Sequence, residues 1–305
     1  IIFITLFLFR RCIMLLKDAI ERFIFTKKAI GRSKDTIIYY SRNLNLFYQY
    51  FGNRNVKEIQ DHTFMKYQKW LLETYSVKKI SIQTYSRATK ALLRWLQREN
   101  FINININKLE LVKAEQIAIF PLLDVEIQKV LAEFTDASEL SLRNKIIFLL
   151  LIDCGLRRGE IPKIKKSDMY LENETLCVHG KGSKERYVRL GQLTITLIQK
   201  YMQMTRHSSE YLLIKKDRTA ITGNTIKMIF QRLRQKTGID RLYPHMLRHT
   251  FATNYLLDTG NLEALRIIMG HSTVAMTQKY VHIAAQMQII NGRHLSHIDF
   301  MLKNS

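Results

Sequence analysis

Tyr243-Pro244-His245-Met246-Leu247-Arg248-His249-Thr250-Phe251-Ala252-Thr253-Asn254 is the stretch from which the rest of the chain can be read. Pro244 suits the first position of a helix, where its missing N–H costs nothing. His245 and Arg248 then stand three apart and share one helix face. A guanidinium offers two parallel donors to the non-bridging oxygens of a phosphoryl group, and an imidazole takes or gives a proton near neutral pH. The pair suits chemistry at a phosphoryl centre. The competing reading is a metal pair made by His245 and His249, four apart. No Glu lies between them, and a cation beside Arg248 would meet charge repulsion.

Four further segments flank this stretch. Upstream lies Gly155-Leu156-Arg157-Arg158-Gly159-Glu160, and then Gly180-Lys181-Gly182-Ser183-Lys184-Glu185-Arg186 between Leu176/Val178 and Val188/Leu190, each pair at strand period two. Downstream come Met269-Gly270-His271 and Thr277-Gln278-Lys279-Tyr280-Val281-His282. Singly, each has an ordinary structural reading. Gly180-Lys181-Gly182 is a basic hairpin turn with the wrong spacing for a P-loop. Arg157 and Glu160 make an intrahelical pair. His271 is a loop or cap residue, and Tyr280 a half-buried aromatic.

Taken together, in this order and spacing, the segments resemble the signature boxes of the tyrosine recombinase (phage integrase) family. The likeness runs from about Pro121 to His282, and the N-terminal part resembles the family's core-binding domain more loosely. What the resemblance implies is a mainly α fold: an N-terminal four-helix core-binding domain plus an α-rich catalytic domain with a small antiparallel β-sheet. It also implies roles. Tyr280 attacks a DNA phosphodiester and forms a 3′-phosphotyrosyl bond, His245 takes the phenol proton, and Arg157 and Arg248 bind the non-bridging oxygens. His271 adds a hydrogen bond to the same group, and Lys181 protonates the leaving 5′-oxygen, for which a guanidinium is a poor acid. Glu160 orients Arg157 or His245. The scheme requires no cofactor and no metal. The partners implied are double-stranded DNA with a specific recombination site and a homotetramer holding two duplexes, for integration, excision or resolution. A type IB topoisomerase, which resolves the same intermediate on one duplex, and a catalytically silent DNA-binding protein of the same fold are the alternatives. A basic interaction protein with chance motifs is the third.

The bulk of the chain fits such a partner. Across 305 residues, Lys and Arg number 48 against 26 Asp and Glu, a net charge of +22 that attracts a polyanion. Three scattered cysteines, Cys12, Cys154 and Cys177, match no zinc spacing and no disulfide framework, which points to a reducing cytoplasm. The apolar run Ile1–Phe9 is shorter than the roughly 20 residues of a membrane span and has no basic residues before it. Residues 1–13 read as an upstream extension of the reading frame, with a weak membrane or partner-binding tail as the other reading.

Helical spacing predicts four amphipathic helices in a first domain over residues 14–101. The first runs from Leu15 to about Lys28. Ser33 caps a second that ends at Gly52, Asp61 caps a third through Leu72, and Ser81 caps Ile82–Gln97. Lys34, Arg42, Arg87, Lys90 and Arg94 are interleaved and can face phosphates, although a solvated helix face is their ordinary fate. Ile102, Ile104 and Ile106 alternate with asparagines, which predicts an extended linker over 102–118, or an edge strand. The catalytic domain is then expected over 119–305, beginning with helices at Asp124–Phe134 and Ser141–Cys154. Two basic domains joined this way suit a clamp on a duplex. After Tyr280, the apolar residues Ile283, Met287, Ile289, Ile290, Ile298, Phe300 and Leu302 suit packing into a neighbouring subunit or onto their own domain.

Overall fold

The computed structural model describes residues 13–115, 119–180 and 185–290. Its chain divides into two compact units, residues 1–117 and 118–305. Among the described residues there are eleven α-helices and one three-stranded antiparallel sheet, the mainly helical class expected.

The first unit is built from α1 (Leu16–Ala29), α2 (Lys34–Phe51), α3 (Asp61–Thr74) and α4 (Lys79–Arg98). Ser33 caps α2, its hydroxyl accepting from the Thr36 N–H, and Gly52 ends it with a positive φ of 74°. Asp61 is the first helical residue of α3, not its cap. Gln60 takes the cap position and donates its N–H to the Thr63 hydroxyl. Helix α4 begins two residues before the expected Ser81 cap. Phe23, Phe47, Phe51, Phe64, Tyr67 and Trp95 fill the core, with the Phe47 and Tyr67 rings edge-on at 5.1 Å.

The alternating isoleucines belong to this core. Ile102, Ile104, Ile106 and Leu109 are all buried in it. Side chains of α3 and α4 take up part of this segment's backbone, which makes a short 3-10 turn at Ile106–Lys108 and pairs with no strand among the described residues. Gln97 donates to the Ile104 carbonyl, and Lys90 to that of Leu109. Gln68 brackets Glu110 and Val112, donating to one backbone and accepting from the other. Lys90, one of the cations expected to face phosphates, is therefore engaged inside its own unit. Lys34, Arg42, Arg87 and Arg94 are exposed.

In the second unit, α5 (Asp124–Leu131) stops three residues short of the expected Phe134, and α6 (Glu139–Ile152) begins and ends two residues early. Helix α6 buries Leu142, Ile146, Ile147, Phe148, Leu149, Leu150 and Leu151, and is hydrophobic on nearly every side. The sheet comprises β1 (Met169–Tyr170), β2 (Thr175–His179) and β3 (Glu185–Arg189) in that spatial order, with Cys177 opposite Tyr187 and His179 opposite Glu185. Then follow α7 (Gln192–Thr205), α8 (Gly223–Thr237), α9 (Pro244–Thr259), α10 (Leu262–Met269) and α11 (Ala275–Ile290). Helix α9 packs against α6 on one side and α11 on another. Cys154 and Cys177 are buried free thiols. No helix among the described residues is long and apolar enough to cross a membrane. Residues 1–12, with Cys12, lie outside the described residues, as do 291–305. Of the apolar residues after Tyr280, Ile283 and Met287 are buried, whereas Ile289 and Ile290 are exposed.

One glycine is pinned by this packing. Gly155, three residues past the end of α6, has a φ of +60°, and a Cβ there would lie 2.3 Å from the Phe251 ring of α9. Gly155→Ala meets left-handed backbone strain and an overpacked ring together, each costing about 1–3 kcal/mol. The expected result is a loss of roughly 2 kcal/mol or more in a denaturant titration of the folded protein. A loss below about 0.5 kcal/mol, ordinary for a surface change, would contradict this packing.

Candidate active site

Helix α9 starts as its sequence requires. Tyr243 is extended at the N-cap, Pro244 follows at the first helical position, and Gly260 closes the helix in the left-handed conformation. That phase turns Arg248 inward. At 1% exposure, it is the largest fully buried side chain among the described residues. Its Nη1 donates to the Gly155 carbonyl, and its Nη2 donates to the Met269 carbonyl at 2.6 Å and meets His271 Nε2 at 3.2 Å. Among the described residues no carboxylate is hydrogen-bonded to it. Burial lowers its pKa, with Arg157 adding repulsion, to about 9, and it stays charged at neutral pH.

The contact with Arg248 settles the protonation of His271. Arg248 has donors only, so His271 Nε2 accepts, and Nδ1 carries the proton and donates to the Thr277 hydroxyl at 2.9 Å. Burial, then the charges of Arg248 and Arg157, lower His271 to about 4, so the ring is neutral. In this arrangement His271 holds Arg248 in place, and its one proton is engaged by Thr277.

Arg157 stands in a turn after α6, not in a helix. Its Nη1 donates to Glu160 Oε1 at 2.9 Å, its backbone N–H to Glu160 Oε2 at 2.7 Å, and its Nη2 to the Gly270 carbonyl at 2.9 Å. Glu160 thus orients Arg157. Burial would raise this carboxyl, but hydrogen bonds from Arg186 and Arg157 outweigh it and hold the pKa below the ordinary range. Arg157 and His245 also border a groove of about 550 Å³ edged by Arg158, Lys227 and Arg234. A wider groove of about 910 Å³ on the first unit gathers no arginine.

Tyr280, on α11, is 1% exposed and packs with Ala252, Leu256, Leu265 and Met269. Its ring lies parallel to that of His271, and His249 approaches it at 5.2 Å between centroids. Burial pushes the phenol up to about 12, although Arg248 and Arg157 pull the other way. His245 is on the exposed side of α9, its ring edge-on to His249 at 4.5 Å. Loss of surrounding water, then Lys279, Arg248 and Arg157, lower its pKa. His249 is pushed to about 3 by burial and by His245, and its buried Nδ1 has no hydrogen-bond partner among the described residues. Lys181 lies outside the described residues. The hairpin arms β2 and β3 that flank it are both described.

One residue near the site was not singled out from the sequence: Arg186 on β3, whose guanidinium grips both Glu160 oxygens at 2.9 and 2.8 Å. Its signal was readable: it shares the inward face of β3 with Val188, an arginine at a core position of a period-two pattern. Away from this site, Cys177, His179 and Glu185 bring metal-capable atoms together. His179 hydrogen-bonds Asp168, which raises its pKa, and also faces Glu185, which raises it further.

A profile of the phage integrase family matches residues 122–287. The tyrosine recombinase XerC of Bacillus pumilus (strain SAFR-032) is 28% identical over 284 residues, covering 88% of this chain and 92% of that protein. XerC of Bacillus subtilis (strain 168) is 28% identical over 281 residues, covering 87% and 90%. Among solved structures, the Tn1549 transposon integrase in complex with a circular intermediate DNA superposes with a TM-score of 0.74 at 18% identity, covering 88% of this chain and 95% of that one. XerH recombinase bound to a palindromic difH substrate gives 0.72 at 22% identity, covering 88% and 82%.

Proposed function

The chain belongs to the phage integrase family, the tyrosine recombinases, and from that premise we propose that it cuts and rejoins double-stranded DNA at a specific site, with Tyr280 as nucleophile. The observation that carries this reading is Arg248. A buried guanidinium beside the Tyr280 ring, without a hydrogen-bonded carboxylate among the described residues, is a charge that an anion would stabilise. A DNA phosphate supplies that anion.

Tyr280 Oη attacks the scissile phosphorus, the bond to the 5′-oxygen breaks, and the 3′-phosphate remains on the tyrosine. A phenol held near 12 keeps its proton at neutral pH, so that proton must be removed during attack. His245, kept neutral by its lowered pKa, receives it. Of five guanidinium N–H donors, Arg248 engages three and Arg157 two within the protein, leaving donors on each for the non-bridging oxygens. Lys181 protonates the departing 5′-oxygen. The phosphotyrosyl ester conserves the broken bond's energy, so resealing needs neither metal nor nucleotide. Exchange between two duplexes then involves four protomers, working on DNA in the cytoplasm.

The test is a denaturing gel of the protein incubated with a nicked duplex that carries its recombination site. A covalent protein–DNA adduct is expected. Its initial rate should hold level as pH falls to about 6.5, the ordinary histidine value, and decline only below it, because the folded pKa of His245 is depressed. Absence of the adduct at every pH would overturn the enzyme. An acid limb beginning above pH 7 would overturn His245 as base.

A further inference from the structure

We infer that Arg186 is a positioning residue for strand cleavage, acting through Glu160 on Arg157 and directly on the end of α10. The inference rests on the function proposed above and concerns how its site is held. The Arg186 guanidinium is buried, with Nη1 and Nη2 forming a two-pronged grip on Glu160 and Nε donating to the Ile268 carbonyl at 2.7 Å. Glu160 in turn holds Arg157 by side chain and backbone. One carboxylate therefore joins β3 to an arginine proposed to bind the scissile phosphate.

The end of α10 shows why a second anchor is needed. The carbonyls of Ile268, Met269, Gly270 and His271 accept in turn from Arg186, Arg248, Arg157 and Arg266. A helix C-terminus leaves such carbonyls unpaired and carries partial negative charge, which cations satisfy. Gly270, at φ +61°, lets two of these arginines pass close. A Cβ there would sit 3.2 Å from Arg186 Cδ and 3.4 Å from Arg157 Nη1. Removing Arg186 leaves Glu160 with one cationic partner. Arg157 is then free to turn both prongs onto the carboxylate, and its phosphate-facing donors go with them. It also releases Ile268, two residues from Gly270 and three from His271.

The experiment compares Arg186→Lys with the wild type on the nicked duplex, in single turnover at saturating DNA, with site affinity measured separately. Lysine keeps the charge but cannot grip two oxygens and a carbonyl at once. Cleavage is expected to fall roughly 10- to 100-fold, as for a misplaced catalytic group, with site affinity within about threefold. A merely structural role predicts instead that any loss follows the unfolded fraction. A cycle with Arg157→Lys distinguishes the route: acting through Arg157, the second substitution should cost much less than it does alone, whereas additive losses would overturn the inference. Glu160→Gln, which keeps shape but removes the shared charge, reads the same network should Arg186→Lys not fold, and wild-type cleavage in that variant would also overturn it. Failure of the wild type to cleave sinks the proposed function. Undiminished cleavage by Arg186→Lys sinks only the positioning role.

Discussion

Tyr280→Phe is expected to abolish the covalent protein–DNA adduct outright while leaving the fold and site affinity nearly unchanged. The reason lies in how the ring is held. Tyr280 is wedged among Ala252, Leu256, Leu265 and Met269, against the flat face of His271. Phenylalanine fills the same space, so only the hydroxyl oxygen is lost. The nearby His249, 5.2 Å from the tyrosine ring between centroids, is buried and neutral. Stability should change by less than about 1 kcal/mol, the scale of a single net hydrogen bond. The measurement is the denaturing gel beside a native binding titration. An adduct that persists in Tyr280→Phe would move the nucleophile elsewhere, and loss of binding together with the adduct would mean that the ring serves the fold first. The same packing carries a mechanistic consequence. A tyrosine this enclosed reaches a phosphate only after its ring turns or α11 shifts, so the rate of adduct formation reports a conformational step as well as chemistry.

Much of this site was legible because it is written in short-range chemistry. Pro244 and Gly260 mark the ends of α9, Ser33 and Gly52 those of α2, and three-residue spacing puts His245 and Arg248 on one helix. Such signals act within a turn or two of backbone. What escaped depends on contacts across the unit. Arg157 meets Gly270 across more than a hundred residues of chain, and nothing local to either announces it. Glu160 was seen as a partner of Arg157, but its second cation arrives from the hairpin. The isoleucines at 102, 104 and 106 have a true period of two, yet their face is covered by helices instead of a sheet, because Gln68, Lys90 and Gln97 take over the backbone hydrogen bonds a strand would have made. A pattern of hydrophobicity tells which side is buried. It does not tell against what.

Arg248→Ala should lose roughly 100- to 1,000-fold in cleavage, the range for removing one fixed donor to a developing oxyanion, and its effect on stability should be much smaller than its contact list suggests. Three acceptors are orphaned: the carbonyls of Gly155 and Met269 and the Nε2 of His271. Unpaired buried acceptors cost about 1–3 kcal/mol each. Against this, the substitution removes a buried guanidinium that no carboxylate hydrogen-bonds among the described residues, and burying such a charge is itself unfavourable. The two effects oppose, so the rate loss should far exceed what unfolding explains. Arg248→Lys should not rescue it. An ammonium has no planar fork with which to span the Gly155 and Met269 carbonyls while still presenting donors outward. The check is single-turnover cleavage of the nicked duplex at saturating DNA, paired with a denaturation curve for each variant. Rates that fall only in proportion to the unfolded fraction, or a lysine variant within about threefold of wild type, would make Arg248 a brace for the loop at Gly155 and the end of α10 and not the ligand of the scissile phosphate.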